Sequence, residues 1–187
     1  MNLTENAQIR PNPSSHAMKW GMVIGACFAA NFLLSASGIA ALSVLTYLLE
    51  AVILVLSWRV TRSYRDTECG GVMSFGQVWW YITLLFFFAS LIGAIVKWGY
   101  MKWINTGYLD DLFSQTMLLL EQMKVELPEA AVEQVEAMMT PTQFAMQSIF
   151  SDTLLGALLG LIYAPFLKSK KPLENGETNI DSDSSAQ

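Results

Sequence analysis

The sequence predicts an all-α, polytopic membrane protein with four transmembrane helices and an extracytoplasmic amphipathic helical hairpin between helices 3 and 4. Of its 187 residues, 53% are hydrophobic and only 14% are charged, and the mean hydropathy is +0.37. Soluble domains have about 25% charged residues. In addition, four stretches stay apolar for the roughly 20 residues that a helix needs to cross a bilayer. An ordinary soluble domain and a disordered chain are therefore excluded.

The first two spans are expected at residues 17–35 and 39–58, joined by a tight turn. Residues 1–16 are polar, contain Pro11 and Pro13, and predict a disordered cytoplasmic leader. A polar segment before the apolar run is unlike a secretory signal, and no convincing cleavage site separates the two apolar stretches. We therefore expect the first span to stay in the membrane as an anchor.

The third and fourth spans are expected at residues 75–98 and 144–167, with a helical cap at 106–140 between them. Apolar residues recur at helical spacing on both sides of Pro128, which predicts two helices joined by a turn. The cap is acidic, which predicts either a packed hairpin with a solvated face or a docking surface for a cationic partner or a cation. Residues 172–187 are polar and predict a disordered cytoplasmic tail, so the membrane domain covers 17–171.

The positions of the basic residues predict the orientation. Eight of the 11 Lys and Arg residues lie on the side that holds both termini, and only Lys97, Lys102 and Lys124 lie on the other. Because cytoplasmic loops carry an excess of Lys and Arg, both termini are expected in the cytoplasm. The net charge of −5 gives no reason to expect nucleic acid as a partner.

Two acidic residues lie within the predicted spans. An ionisable side chain in a membrane is costly and therefore suggests a functional site. Asp152 in the fourth span is expected to meet Asn31 and, by snorkelling, Lys97. Glu50 is expected in the inner half of the second span, too far in depth to pair with Asp152. This candidate intramembrane polar site predicts either a structural cluster or a proton or cation site.

Small residues predict two close helix contacts. Gly21 and Gly25 share one face of the first span, and Gly156 and Gly160 share one face of the fourth. Such faces let helix backbones approach closely in a membrane. We expect packing within the chain, with contact to another protein as the alternative.

Three arginines follow the second span. Arg59, Arg62 and Arg65 are spaced by three residues in a predicted cytoplasmic loop. They predict either simple marking of the cytoplasmic side or contacts with lipid phosphates, since the guanidinium fork matches phosphate geometry.

The sequence lacks the motifs of common enzymes. It has no phosphate-binding loop, no zinc pattern and no nucleophile elbow. It has one histidine, His16, and its two cysteines, Cys27 and Cys69, are expected at different depths. We therefore expect no enzymatic activity, no catalytic residue, no metal and no cofactor.

The order of these elements resembles an uncharacterised family of small four-pass inner-membrane proteins from Bacteroidota, a domain of unknown function numbered 4199. The most distinctive step is Ser74-Phe75-Gly76-Gln77 at the start of the third span. The other segments that carry the resemblance are Lys19-Trp20-Gly21, Arg62-Ser63-Tyr64-Arg65, Asn105-Thr106-Gly107-Tyr108-Leu109 and the Gly-rich exit over 156–171.

The resemblance implies a multi-pass protein of a bacterial inner membrane. Family members tend to be encoded near a polyprenyl-phosphate glycosyltransferase, which implies an accessory role. We therefore expect a non-enzymatic accessory or scaffolding subunit that binds lipid and another membrane protein or a second copy of itself. The alternative is a small ion- or proton-coupled transporter that uses Asp152 and Glu50.

Overall fold

The computed structural model describes residues 12–125 and 128–169. These residues form six α-helices and no strand. The helices are α1 (Pro13–Ala36), α2 (Ala40–Thr67), α3 (Phe75–Gly99), α4 (Tyr108–Gln122), α5 (Glu129–Met138) and α6 (Pro141–Leu167), and α3 continues into a π-helical turn at Tyr100–Ile104. Four of them, α1, α2, α3 and α6, are long and apolar enough to cross a membrane. The predicted all-α fold with four candidate spans is confirmed.

The first helix begins earlier than predicted. The Asn12 side chain accepts a hydrogen bond from the Ser14 amide at 3.2 Å, and Pro13 occupies the first helical position. Both features favour a helix start. Residues 13–16, assigned above to the disordered leader, are therefore helical, whereas residues 1–11 of the leader and the tail at 172–187 lie outside the described residues.

The second helix ends later than predicted. No Gly or Pro interrupts the chain until Gly70 and Gly71, both of which have positive φ angles (58° and 81°) and end the helical path. Arg59, Arg62 and Arg65 therefore lie in the last turns of α2 and not in a loop. The prediction of a loop at these residues is wrong.

The region of the predicted cap contains α4 and α5. Among the described residues, α4 buries only Leu109 and α5 buries none. The predicted turn before Pro128 includes residues 126 and 127, which lie outside the described residues. Two helices are present as expected, but their burial gives no support to a closed, tightly packed cap.

Helix α3 lies at the centre of the bundle. It packs against α1 on one side and α6 on the other, whereas α2 packs mainly against α1. The chain direction alternates, so α1 and α3 begin, and α2 and α6 end, at the same end of the bundle. We call this the basic end, because Arg59, Arg62, Arg65 and Lys168 lie there. The backbones of Met73 and Ser169 exchange two hydrogen bonds there, of 3.1 and 2.9 Å.

The glycine faces of α1 and α6 both pack against α3. A Cβ atom added at Gly25 would lie 2.7 Å from the carbonyl oxygen of Ala89, and one added at Gly160 would lie 2.9 Å from the Trp79 ring. Cβ atoms at Gly21 and Gly156 would collide with the Cβ atoms of Phe88 and Phe86 of α3, respectively. These glycines are therefore in contact with helix α3 of their own chain, as expected.

We predict that Gly25→Ala destabilises the bundle by about 1–3 kcal/mol, the usual effect of overpacking. The new methyl group would meet a backbone oxygen of α3, which cannot rotate away, so the two helices must separate. The matched control is Gly76→Ala in α3, where an added Cβ has no neighbour within 4 Å. Unfolding by SDS titration in mixed micelles measures both variants. Equal stabilities would contradict the close contact.

Candidate functional site

A cavity of about 550 Å³ lies between α1, α2, α3 and α6, in the half of the bundle away from the basic end. We call it the polar cavity, because Asn31, Glu50, Lys97 and Asp152 line it. Its remaining walls are largely apolar, and they include Phe28, Phe32, Ile53, Leu54, Phe86, Leu155 and Leu159. An apolar cavity of this size with a few polar groups is typical of a site for a small molecule.

Helical spacing explains how each wall of the polar cavity forms. On α1, Phe28, Asn31 and Phe32 lie three and four residues apart, which places them on one face. On α6, Asp152 and Leu155 are likewise three residues apart. Each helix therefore turns one stripe of its surface toward the same space.

Asp152 forms an ion pair with Lys97. The Lys97 Nζ atom lies 3.2 Å from the Asp152 Oδ2 atom, and their side chains are only 14% and 23% exposed. The predicted contact by snorkelling from α3 is confirmed. Because each charge neutralises the other where little water reaches, removing one partner would leave the other unpaired.

Asn31 contacts Glu50 and not Asp152. The Asn31 Nδ2 atom donates to the Glu50 Oε1 atom at 3.5 Å, which is a long hydrogen bond. The Asn31 Oδ1 atom is buried, and none of the described residues forms a hydrogen bond with it. The prediction that Asn31 pairs with Asp152 is therefore wrong, since Asn31 donates its hydrogen bond to Glu50, the other acidic residue of the same cavity.

The two acids lie closer in depth than predicted. Helix α2 continues for about two and a half turns beyond Trp58, so Glu50 lies in its first half, away from the basic end. Glu50 and Asp152 consequently line the same cavity. The prediction that Glu50 and Asp152 are separated in depth is wrong, because the fall in hydropathy at Arg59 does not mark the end of the helix.

The polar cavity carries an excess of negative charge when its ionisable groups are charged. Lys97 and Asp152 compensate each other, and within residues 12–125 and 128–169 Glu50 forms no ion pair. The Glu50 side chain is exposed at the edge of the cavity, and an ionisable side chain at membrane depth suggests a functional site. No group of three or more His, Cys, Asp and Glu residues suited to a metal ion occurs in the described part of the chain.

The arginines of the basic end have different environments. Arg65 donates from Nη1 to the Leu167 carbonyl oxygen at 3.2 Å and pairs through Nε with Asp66 at 2.7 Å. It therefore ties the end of α2 to the end of α6. Arg62 is 65% exposed and lies 3.7 Å from Asp66, and Arg59 is also exposed. The hypothesis of contacts with lipid phosphates stays a prediction for all three arginines.

A second polar cluster at the basic end was not predicted. The His16 Nδ1 atom lies 2.6 Å from the hydroxyl oxygen of the fully buried Tyr81. The ring of Tyr64 stacks on that of Tyr81, with centroids 4.3 Å apart. Cys69 lies against Tyr64, and burial raises the pKa of its thiol above the ordinary value. Tyr81 is the residue from which this cluster could be predicted, since a buried tyrosine within an apolar span needs a hydrogen-bond partner for its hydroxyl.

A family model described as "Protein of unknown function (DUF4199)" matches residues 19–169. No curated protein and no solved structure matches the chain. The matched range includes the polar cavity and most of the second cluster, but His16 precedes it.

Proposed function

The chain belongs to the family of proteins of unknown function described as DUF4199, and we propose that it is a small proton-coupled carrier of organic cations. The observation that supports this proposal is that Glu50 and Asp152, from different helices, line one cavity in which, among the described residues, only Asp152 has a basic partner. Glu50 then holds either a proton or the cation, so that binding one releases the other. No covalent chemistry is required, and the carrier is not an enzyme.

The walls of the polar cavity favour an organic cation over a hydrated metal ion. Three phenylalanines, Phe28, Phe32 and Phe86, line it, and aromatic faces attract organic cations by cation–π interaction. The volume of about 550 Å³ is also that of a site for a small organic molecule. We therefore assign a monovalent ammonium ion with an apolar body as the ligand class.

Uptake into proteoliposomes tests this proposal. The probe is radiolabelled phenyltrimethylammonium, a quaternary cation with an aromatic ring and no titratable proton. A pH gradient that is acidic inside should drive its accumulation, because protons leave as the cation enters. Accumulation no greater than in protein-free liposomes, at every pH gradient tested, would refute the carrier function.

The proposed orientation places both termini in the cytoplasm of a bacterial cell and the protein in the inner membrane, in keeping with the positive-inside rule. Single cysteines can report which side of the membrane a residue faces. They would replace the exposed Ser63 or Ser114 in a variant that lacks Cys27 and Cys69. A membrane-impermeant maleimide should label Ser114→Cys in intact spheroplasts and Ser63→Cys only after lysis. The reverse pattern would invert the orientation.

An accessory role beside another membrane protein, for example a polyprenyl-phosphate glycosyltransferase, is the second candidate. It is supported by α4 and α5, whose apolar residues Leu118, Leu119, Val135 and Met138 are exposed. The glycine faces give it no support, because they are occupied by α3. Purification in a mild detergent tests this role. A glycosyltransferase that copurifies at constant stoichiometry would favour it, and its absence would count against it.

A further inference from the structure

Helices α4 and α5 each have one apolar and one acidic face. Residues on the apolar faces recur at intervals of three and four, and they are Leu109, Leu112, Phe113, Leu119 and Leu120 on α4 and Ala131, Val132, Val135 and Met138 on α5. The acidic residues of both helices lie on the opposite faces. An amphipathic helix is stable when its apolar face is removed from water, so each of these faces needs a cover.

The described chain covers these apolar faces only in part. At the start of α4, the Tyr108 ring packs against the Phe32 ring of α1, with centroids 5.7 Å apart, and Leu109 is only 5% exposed. Near the end of the same helix, Leu119 is 58% exposed, and Val135 of α5 is also exposed. In the described part of the chain, neither helix packs extensively against another helix. Part of each apolar face is therefore left without cover.

Short connections hold both helices close to the ends of spanning helices. Residues 105–107 join the π-helical turn after α3 to α4, and residues 139–140 join α5 to α6. Trp98 and Trp103 lie at this end of α3, and the Trp103 side chain is 72% exposed. Tryptophan is enriched where spanning helices leave the bilayer. The start of α4 and the end of α5 are therefore held at the level of the lipid headgroups.

The apolar face of α5 is continuous with the lipid-facing surface of α6. On α6, the exposed side chains Met146, Phe150 and Leu154 are spaced by four residues and form one apolar stripe. A groove of about 540 Å³ between α5 and α6 is lined by Val135 and Met138 from α5 and by Met146 from α6. Lipid in contact with the stripe on α6 can therefore extend without interruption to the apolar face of α5.

We propose that α4 and α5 are surface helices, which lie in the leaflet at the end of the bundle away from the basic end, with their apolar faces in contact with lipid. Such helices bind through buried apolar area and through attraction of basic residues to anionic lipid. The acidic faces provide no such attraction, so the partner is the hydrocarbon boundary of the leaflet. The inference goes beyond the carrier function and does not depend on it.

Spin labels on single cysteines test this inference in the full-length protein, in phosphatidylcholine nanodiscs and with both native cysteines replaced. Leu119→Cys and Val135→Cys place a nitroxide on the apolar faces, and the matched controls Ser114→Cys and Glu133→Cys place one on the acidic faces. All four native side chains are exposed. Because lipid excludes the water-soluble chelate nickel–EDDA and concentrates oxygen, nickel collisions should be about fivefold rarer at the apolar positions, with oxygen collisions at least as frequent.

The two collision rates distinguish lipid from water and from protein. Frequent nickel collisions at all four positions would place the apolar faces in water and overturn the inference. Rare collisions with both reagents at Leu119→Cys and Val135→Cys would mean that protein covers these faces, either a second copy or a partner, and would also overturn it. The lipid reference is Phe150→Cys on α6, whose ratio of oxygen to nickel collisions should likewise exceed that of the controls. None of these results tests the carrier function, which the uptake assay examines separately.

Discussion

Replacing Asp152 with Asn should destabilise the protein by about 3 kcal/mol, the lower end of the range for breaking a buried ion pair on one side. The amide leaves the Lys97 ammonium group without its counter-ion at 3.2 Å, in surroundings where the lysine side chain is only 14% exposed. The lower end applies because the pair lines a cavity and is not completely enclosed. Unfolding by SDS titration in mixed micelles measures the loss.

The double variant Lys97→Met/Asp152→Leu tests whether the loss of stability comes from one charge left unpaired or from the loss of the ion pair itself. Replacing a buried ion pair by apolar residues of similar size is often neutral or stabilising, so the double variant should recover most of the stability lost in Asp152→Asn. The control is Lys102→Met, since Lys102 is exposed and lies over the Trp98 ring at 4.8 Å. The two charges would not be coupled if the stability lost in the double variant equalled the sum of the losses in Lys97→Met and Asp152→Leu measured separately.

Replacing Glu50 with Gln should abolish proton-coupled uptake while the protein stays folded. The amide cannot release a proton and carries no charge to attract a cation. The only hydrogen bond of the Glu50 side chain in the described structure is the long one from Asn31, at 3.5 Å. The substitution should therefore change the free energy of unfolding little. Uptake of phenyltrimethylammonium by reconstituted protein is the measurement, and equilibrium binding should weaken at least tenfold.

The matched control for this change is Glu133→Gln on α5, an exposed glutamate outside the polar cavity. It removes the same charge from the protein and should leave uptake unchanged. Uptake retained in Glu50→Gln would contradict the role of Glu50 as the exchanging group. Uptake lost equally in Glu133→Gln would indicate a general effect of net charge and not of the cavity.

The sequence predicts the four long helices well, because long apolar stretches have few alternative structures in a membrane. It predicts their ends less well. Hydropathy falls at Arg59, but α2 continues to Thr67, since arginine and serine are tolerated in a helix that leaves the bilayer. At the other end of the chain, the pair Asn12-Pro13 is a recognisable helix start, so the interpretation of residues 13–16 as part of a disordered leader is wrong.

The candidate site is predicted in part. The contact of Asp152 with Lys97 follows from depth alone, because a lysine near the end of one helix can reach an acid in the next. Because the predicted end of α2 is too early, Glu50 is predicted in the wrong half of the bundle. The sequence therefore does not predict that Glu50 and Asp152 line one cavity. The pair His16–Tyr81 joins residues 65 positions apart, and no local pattern indicates which helices of a bundle are neighbours.

The carrier model is tested most directly by counting the protons released when a cation binds. Phenyltrimethylammonium is added to purified protein in weakly buffered micelles, and the pH change is compared with the amount of cation bound. Because the cation and the proton compete for one carboxylate, we expect each bound cation to release about one proton from Glu50 when that carboxyl carries a proton before binding. Glu50→Gln should release none. Cation binding by the wild type without proton release, at every pH where it binds, would contradict the carrier model.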